Sequence, residues 1–144
     1  MGEKSYHTQF TKVERTTYSY GQNMMSILLV DDNSDMCEIV SDCLEEEGYN
    51  VVSVPDGESA LSRLKCNHYD LVIVDYRLHG IDGLQVLEKA HQIDSSLITV
   101  MISAFGSDSM RSRSKALGVH DFIEKPFDIE KMVTVVKNAL NRKK

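Results

Sequence analysis

The sequence predicts an α/β fold: a doubly wound, five-stranded parallel sheet with five helices covering both faces. Three observations predict it. Short runs such as Ile27-Leu28-Leu29-Val30 and Leu71-Val72-Ile73-Val74 are apolar at every position, as suits strands buried on both faces of a parallel sheet. Between the runs, apolar residues return at helical spacing, as at Met36, Ile39, Val40, Cys43 and Leu44. Glycines and Pro/Asp/Gly clusters separate the segments, so strand and helix alternate and each crossover must return along the sheet.

Taken in order, the first strand is Ile27–Val30 and ends in Asp31-Asp32. The helix after it reaches Glu45-Glu46-Glu47, and Gly48 is placed to end it in a left-handed conformation. Val51, Val52 and Val54 form the second strand, closed by Pro55-Asp56-Gly57, and a short helix follows through Ala60, Leu61 and Leu64. Leu71–Val74 is the third strand and runs straight into Asp75. Asp82 can cap a third helix that buries Leu84, Leu87 and Ala90. The fourth strand, Leu97 to Ile102, leads to Ser103-Ala104. The segment Asp108–Leu117 has the weakest apolar stripe of the helices, and a helix that buries little is loosely held. Gly118 stops it, Val119–Ile123 is the fifth strand, and Glu124-Lys125-Pro126 follows. The last helix, from about Phe127 to Asn141, turns Ile129, Met132, Val133, Val136 and Leu140 inward, with Arg142-Lys143-Lys144 at its negative end.

Residues 1–23 differ in character. They are polar and rich in Thr and Tyr, with Lys4, Lys12 and Arg15 against Glu3 and Glu14, and show no sustained period. They read as a flexible N-terminal extension, with Met24-Met25 as an alternative natural start. Docking through Tyr6, Phe10, Val13, Tyr18 and Tyr20 is the other reading.

With 144 residues and 42% hydrophobic content, the chain suits one soluble domain. Its 16 basic and 22 acidic side chains leave a formal charge of -6, which argues against direct nucleic-acid binding through phosphates. Cys37, Cys43 and Cys66 form no CxxC and read as reduced packing residues of a cytoplasmic protein. The apolar runs are too short to span a membrane.

If the strands are parallel, Asp31, Asp32, Asp75, Ser103 and Lys125 all stand at the carboxyl edge of the sheet, where ligands bind in such folds. Each alone has a plain reading: a helix start, a turn, a strand-end hydroxyl, a solvated lysine. Together they place three carboxylates, a hydroxyl and an ammonium group in one cleft. Crowded carboxylates repel unless a hard divalent ion lies among them, and Mg2+ favours such oxygen ligands together with a phosphate. Lys125 and Ser103 then serve a phosphoryl group on Asp75, since carboxylates act as nucleophiles toward phosphorus. His68, His79, His91 and His120 show no metal-ligand spacing and read as surface residues.

Four fragments carry a resemblance: Leu29-Val30-Asp31-Asp32, Val74-Asp75 with Gly83 downstream, Ser103-Ala104, and Lys125-Pro126-Phe127. In this order and spacing they resemble the receiver domains of two-component response regulators, over Met25 to about Asn141. Residues 24–144 are accordingly expected to be the receiver domain. The resemblance implies the flavodoxin-like strand order 2-1-3-4-5. It implies that Asp75 accepts a phosphoryl group from a histidine of a sensor histidine kinase or histidine phosphotransferase. It implies Mg2+ held by Asp31, Asp32, Asp75 and the Arg77 backbone carbonyl, with Asp31 acting through water. Ser103 retains the family's hydroxyl, Ala104 leaves room for the donor, Phe122 occupies the switch-aromatic position, and the bond before Pro126 is expected to be cis.

Two positions bear on the departures from the pattern. His79 stands where the family often has proline, which affects the shape of that loop. Arg77 holds a place that influences phosphoryl lifetime in relatives. Phosphorylation is expected to draw in Ser103, turn Phe122 inward and reshape the surface around Asp108–Leu117 and strand five, toward a downstream protein or output domain. Ala104-Phe105-Gly106 and Glu124-Lys125-Pro126-Phe127-Asp128-Ile129 look most like single-domain sporulation-relay regulators and receivers of enhancer-binding regulators. The chain is expected to be no enzyme beyond its own phosphorylation and dephosphorylation, and either a stand-alone receiver or one excised from a longer regulator. Two other classes compete: a Mg2+-dependent phosphohydrolase with an aspartyl intermediate, disfavoured by the lack of a cap domain and of DxD at Asp75, and a non-phosphorylated interaction domain, disfavoured by the intact acidic set.

Overall fold

The apolar runs pair side by side in one direction. In the computed structural model, which describes residues 24–104 and 106–141, the order is β1 (Ser26–Val30), α1 (Ser34–Glu46), β2 (Asn50–Val54), α2 (Gly57–Cys66), β3 (Leu71–Asp75), α3 (Gly83–Ile93), β4 (Ile98–Ser103), α4 (Asp108–Ala116), β5 (Asp121–Glu124) and α5 (Ile129–Asn141). The five strands form a sheet in the order β2-β1-β3-β4-β5, and every pair is parallel. The readings made for residues 1–23, Phe105 and Arg142-Lys143-Lys144 lie outside the described residues.

Successive strand residues point to opposite faces, so the unbroken apolar runs feed two cores. Ile27, Leu29, Ile73, Val100 and Ile102 pack with Val40 and Leu44 of α1 and Met132, Val136 and Leu140 of α5. Leu28, Val30, Val72, Val74 and Met101 pack with Ala60 and Leu64 of α2 and Leu84, Leu87 and Ala90 of α3. Each fully buried aliphatic side chain contributes roughly 2 kcal/mol.

Helix starts follow from short polar side chains. Asn33, Asp56, Asp82 and Ser107 accept N–H bonds from Met36, Ser59, Gln85 and Met110, and so cap α1 to α4. At Asp82 the Gln85 side chain reciprocates, completing a capping box. Gly48 and Gly118 follow α1 and α4 with φ of 98° and 86°, the left-handed conformation expected of a helix stop.

Helix rotation differs from the periodic reading at α1. Its inward stripe is Cys37, Val40 and Leu44, so Ile39 points outward and is 54% exposed. Cys43 is half-buried and Cys66 exposed, so only Cys37 is a buried packing cysteine. In α5 the stripe is Met132, Val135, Val136, Ala139 and Leu140, with Ile129 and Val133 at its margin. α4 buries only Met110 and Ser114. No described helix is long and apolar enough to cross a membrane.

Among the described residues, the Thr99 hydroxyl in β4 is the buried side-chain polar atom without a hydrogen-bond partner. Exchanging it for a methyl group removes a desolvated dipole and keeps the shape. Thr99→Val is therefore expected to raise stability by about 1 kcal/mol, read from urea unfolding midpoints.

Candidate functional site

Parallel pairing brings the carboxyl ends of β1, β3, β4 and β5 to one edge. Asp31 follows β1, where its N–H donates to the Val54 carbonyl at 3.1 Å. Its Oδ1 accepts the Asn33 N–H at 2.9 Å. Asp75 ends β3 beside Ile102, and its Oδ1 accepts the Arg77 N–H at 3.1 Å. Beyond β5, the Lys125 N–H donates to the Ser103 carbonyl at 2.8 Å, extending the ladder by one bond. That bond aims the lysine back over the edge. Its Nζ donates to Asp31 Oδ2 at 2.7 Å and to Asp75 Oδ2 at 2.9 Å.

Asp31 and Asp75 are 2% and 6% exposed, whereas Asp32 opens to solvent. Carboxylate oxygens of the three lie within 4.8 Å of one another, so they form a group able to hold a metal ion. Ser103 is fully buried at the end of β4, opposite Glu124, and Ala104 is exposed. The Lys125-Pro126 bond is cis.

Gly83 lets α3 approach this edge. Its N–H donates to the Tyr76 carbonyl at 2.9 Å, and a Cβ there would stand 2.6 Å from the Asp75 carbonyl oxygen. Phe122 is half-buried. A Cβ on Gly106 would lie 3.0 Å from its ring, and the Arg111 guanidinium sits 4.5 Å above the ring centroid. Arg111 also pairs with Glu124. Periodicity could not reveal this cover on Phe122, because it needs α4 folded across β5.

Sequence spacing reads His79 as a surface residue. It is indeed exposed, but its Nε2 stands 3.5 Å from Asp32 Oδ2. Its place four residues after Asp75, in the loop that follows β3, was the available signal. His68 is exposed, while His91 and His120 are half-buried.

Burial raises the Asp75 pKa above the ordinary carboxylate value, and the Asp31 charge adds to this against the pull of Lys125. For Lys125, burial opposes the charge, but the bonds to Asp31 and Asp75 outweigh it and the pKa is raised. Burial, with the Asp31 charge second, pushes the Cys37 thiol up to about 11. That thiol donates to the Asp31 carbonyl at 3.4 Å and stays protonated, a packing group and not a thiolate ligand.

A raised carboxylate pKa means that the folded state binds the proton more tightly than the unfolded state. Ionised Asp75 therefore costs stability at neutral pH, and the cost disappears as pH falls through its folded pKa. Metal-free Asp75→Asn is expected to be more stable than the parent at neutral pH. The gap should close on acidification, as measured by urea unfolding at a series of pH values.

A family model for the response regulator receiver domain matches residues 27–137, and the chain belongs to that family, whose members serve two-component signalling. Nitrogen assimilation regulatory protein NtrX of Azorhizobium caulinodans is 34% identical over 116 residues, 79% of this chain and 26% of that protein. Sporulation initiation phosphotransferase F of Bacillus subtilis is 32% identical over 114 residues, 79% of this chain and 92% of that protein. The crystal structure of a response regulator receiver domain protein (CheY-like) from Methanospirillum hungatei JF-1 aligns with a TM-score of 0.81 at 25% identity, covering 83% of this chain and 96% of that one. The chain thus spans about a quarter of the NtrX relative and nearly all of the sporulation phosphotransferase.

Proposed function

We propose that this chain is a phosphoacceptor switch: Asp75 takes a phosphoryl group from a histidine of a sensor histidine kinase or histidine phosphotransferase. The observation that carries this reading is the Lys125 ammonium bridging Asp31 and Asp75, two buried carboxylates, with Asp32 beside them. A lysine that shares two carboxylates can release one and pair with a phosphoryl oxygen without leaving its place.

An Asp75 carboxylate oxygen forms the bond to phosphorus while the P–N bond to the donor imidazole breaks, and the leaving nitrogen takes a proton from water. The carboxylates of Asp31, Asp32 and Asp75 would suit Mg2+; the Arg77 backbone carbonyl would complete the set, and Asp31 would act through water. When bound, the ion supplies charge neutralisation and in-line orientation of the phosphoryl oxygens. Ser103 donates its hydroxyl to the phosphoryl group, and Ala104, being small, leaves the donor room. The added charge of roughly −1.5 to −2 draws Ser103 in and turns Phe122 inward from beneath Arg111, which reshapes the α4-β5-α5 surface for a downstream protein or output domain.

The test is incubation with acetyl phosphate and Mg2+ followed by intact mass measurement. A single phosphate adduct that is absent in Asp75→Asn supports the switch. Rapid turnover of many phosphoesters would point to a phosphohydrolase, and no adduct at all to an interaction domain that works unphosphorylated.

A further inference from the structure

We propose that His79 makes the acidic site discriminate among divalent cations, adding an imidazole nitrogen for borderline metals such as Ni2+ while leaving Mg2+ to the oxygens. The inference rests on the reading of Asp31, Asp32 and Asp75 as a metal site. His79 Nε2 is already 3.5 Å from Asp32 Oδ2, at the solvent-exposed carboxylate of the cluster, whereas Lys125 bonds the two buried ones, Asp31 and Asp75. Its side chain is 92% exposed, so little packing holds it in one rotamer.

The backbone delivers it there. Asp75 ends β3 and His79 lies in the loop that joins it to α3, which is pinned by the bonds from the Tyr76 N–H to the Ile102 carbonyl and from the Gly83 N–H to the Tyr76 carbonyl. Gly80 makes the turn just after His79 with φ of 80°, and the Glu58 carboxylate of α2 closes against it, 2.8 Å from where a Cβ would stand. The loop that leaves Asp75 therefore carries an imidazole, four residues on, to the neighbouring carboxylate of Asp32.

The chemistry then separates the ions. Mg2+ is hard, keeps several waters and takes carboxylate and carbonyl oxygens, so it gains little from an imidazole. Ni2+ sits higher in the affinity order of the divalent metals and accepts imidazole readily. One water leaves the hydrated ion and the lone pair of a neutral imidazole nitrogen takes its place; the bond count is conserved and no oxidant is involved. The three carboxylates alone form the mutually close group, and His79 Nε2 stands beside it, 3.5 Å from Asp32, so a turn of its exposed side chain brings the nitrogen to the ion.

Isothermal titration of the whole chain with Ni2+ and, separately, with Mg2+ tests this, comparing the parent with His79→Ala, His79→Gln and Asp32→Asn. The expected result is a Ni2+ affinity lower by about tenfold or more in both His79 variants, with Mg2+ affinity unchanged and Asp32→Asn weakened for both ions. Equal Ni2+ affinity in the parent and His79→Ala overturns the inference. So does an equal loss of both ions in the His79 variants, which would make His79 only a support for Asp32. If Mg2+ binds the parent in either of those cases, the metal-site reading stands and the His79 inference alone fails. If neither ion binds the parent, both fall.

Discussion

Replacing Lys125 with alanine is expected to cost the metal-free protein about 3 kcal/mol of stability and to slow phosphorylation of Asp75 by about a hundredfold. Its ammonium lies 2.7 Å and 2.9 Å from two carboxylates, one with a side chain wholly shielded from solvent and the other nearly so. Removing the only cation that bonds them among the described ion pairs leaves two buried like charges facing each other. The loss falls at the low end for a broken buried pair because Lys125 itself is partly exposed. Magnesium, binding the folded state alone, should restore part of the stability but not the phosphorylation rate, since in the proposed function the ammonium is also the counter-charge for the incoming group. Urea unfolding with and without Mg2+, together with the time course of the mass adduct, reads both effects. A variant as stable as the parent in metal-free buffer would show that Lys125 is not the charge balance of the cleft.

Gly83→Ala is expected to be nearly as damaging, at about 3 kcal/mol, and to impair phosphorylation as well. The new Cβ would meet the Asp75 carbonyl oxygen at 2.6 Å and the Tyr76 Cα at 2.8 Å. Both are backbone atoms at the strand end that carries Asp75, so relief requires moving Asp75 or α3. Gly57→Ala is a useful contrast. Its close contacts are the side chains of Ile81 and Val86, and Ile81 can turn aside. A smaller loss in unfolding free energy and an unchanged adduct rate are expected there. Equal losses in the two variants would mean that crowding against side chains costs as much as the clash with the Asp75 backbone.

The strands and the edge they share were legible because the signal is local. A run apolar at every position, such as Leu71–Val74, has one good place, inside a covered sheet, and the polar residue that ends it must emerge at the rim. This is why Asp31 and Lys125, separated by 94 positions, fall into one cleft with Asp75 from strand ends alone. The caps on α1 and α4 are equally local, but Asn33 and Ser107 have the cap-type neighbours Asp32, Ser34 and Asp108, and only the fold selects among them. Ile39 departs from its expected inward place for a different reason. A helical period identifies a stripe but leaves its rotation open by about one residue, and the sheet chose Cys37, Val40 and Leu44.

By itself, the sequence determined the alternation of strands and helices and the membership of the acidic cleft, because both follow from where the chain can afford to bury charge. Tertiary structure alone decided that Arg111 covers Phe122, that Gly83 touches the backbone of Asp75, and that His79 reaches Asp32. Each of these depends on how two elements are turned toward one another. That rotation is set by side-chain packing across the whole domain, to which no local stretch of residues has access.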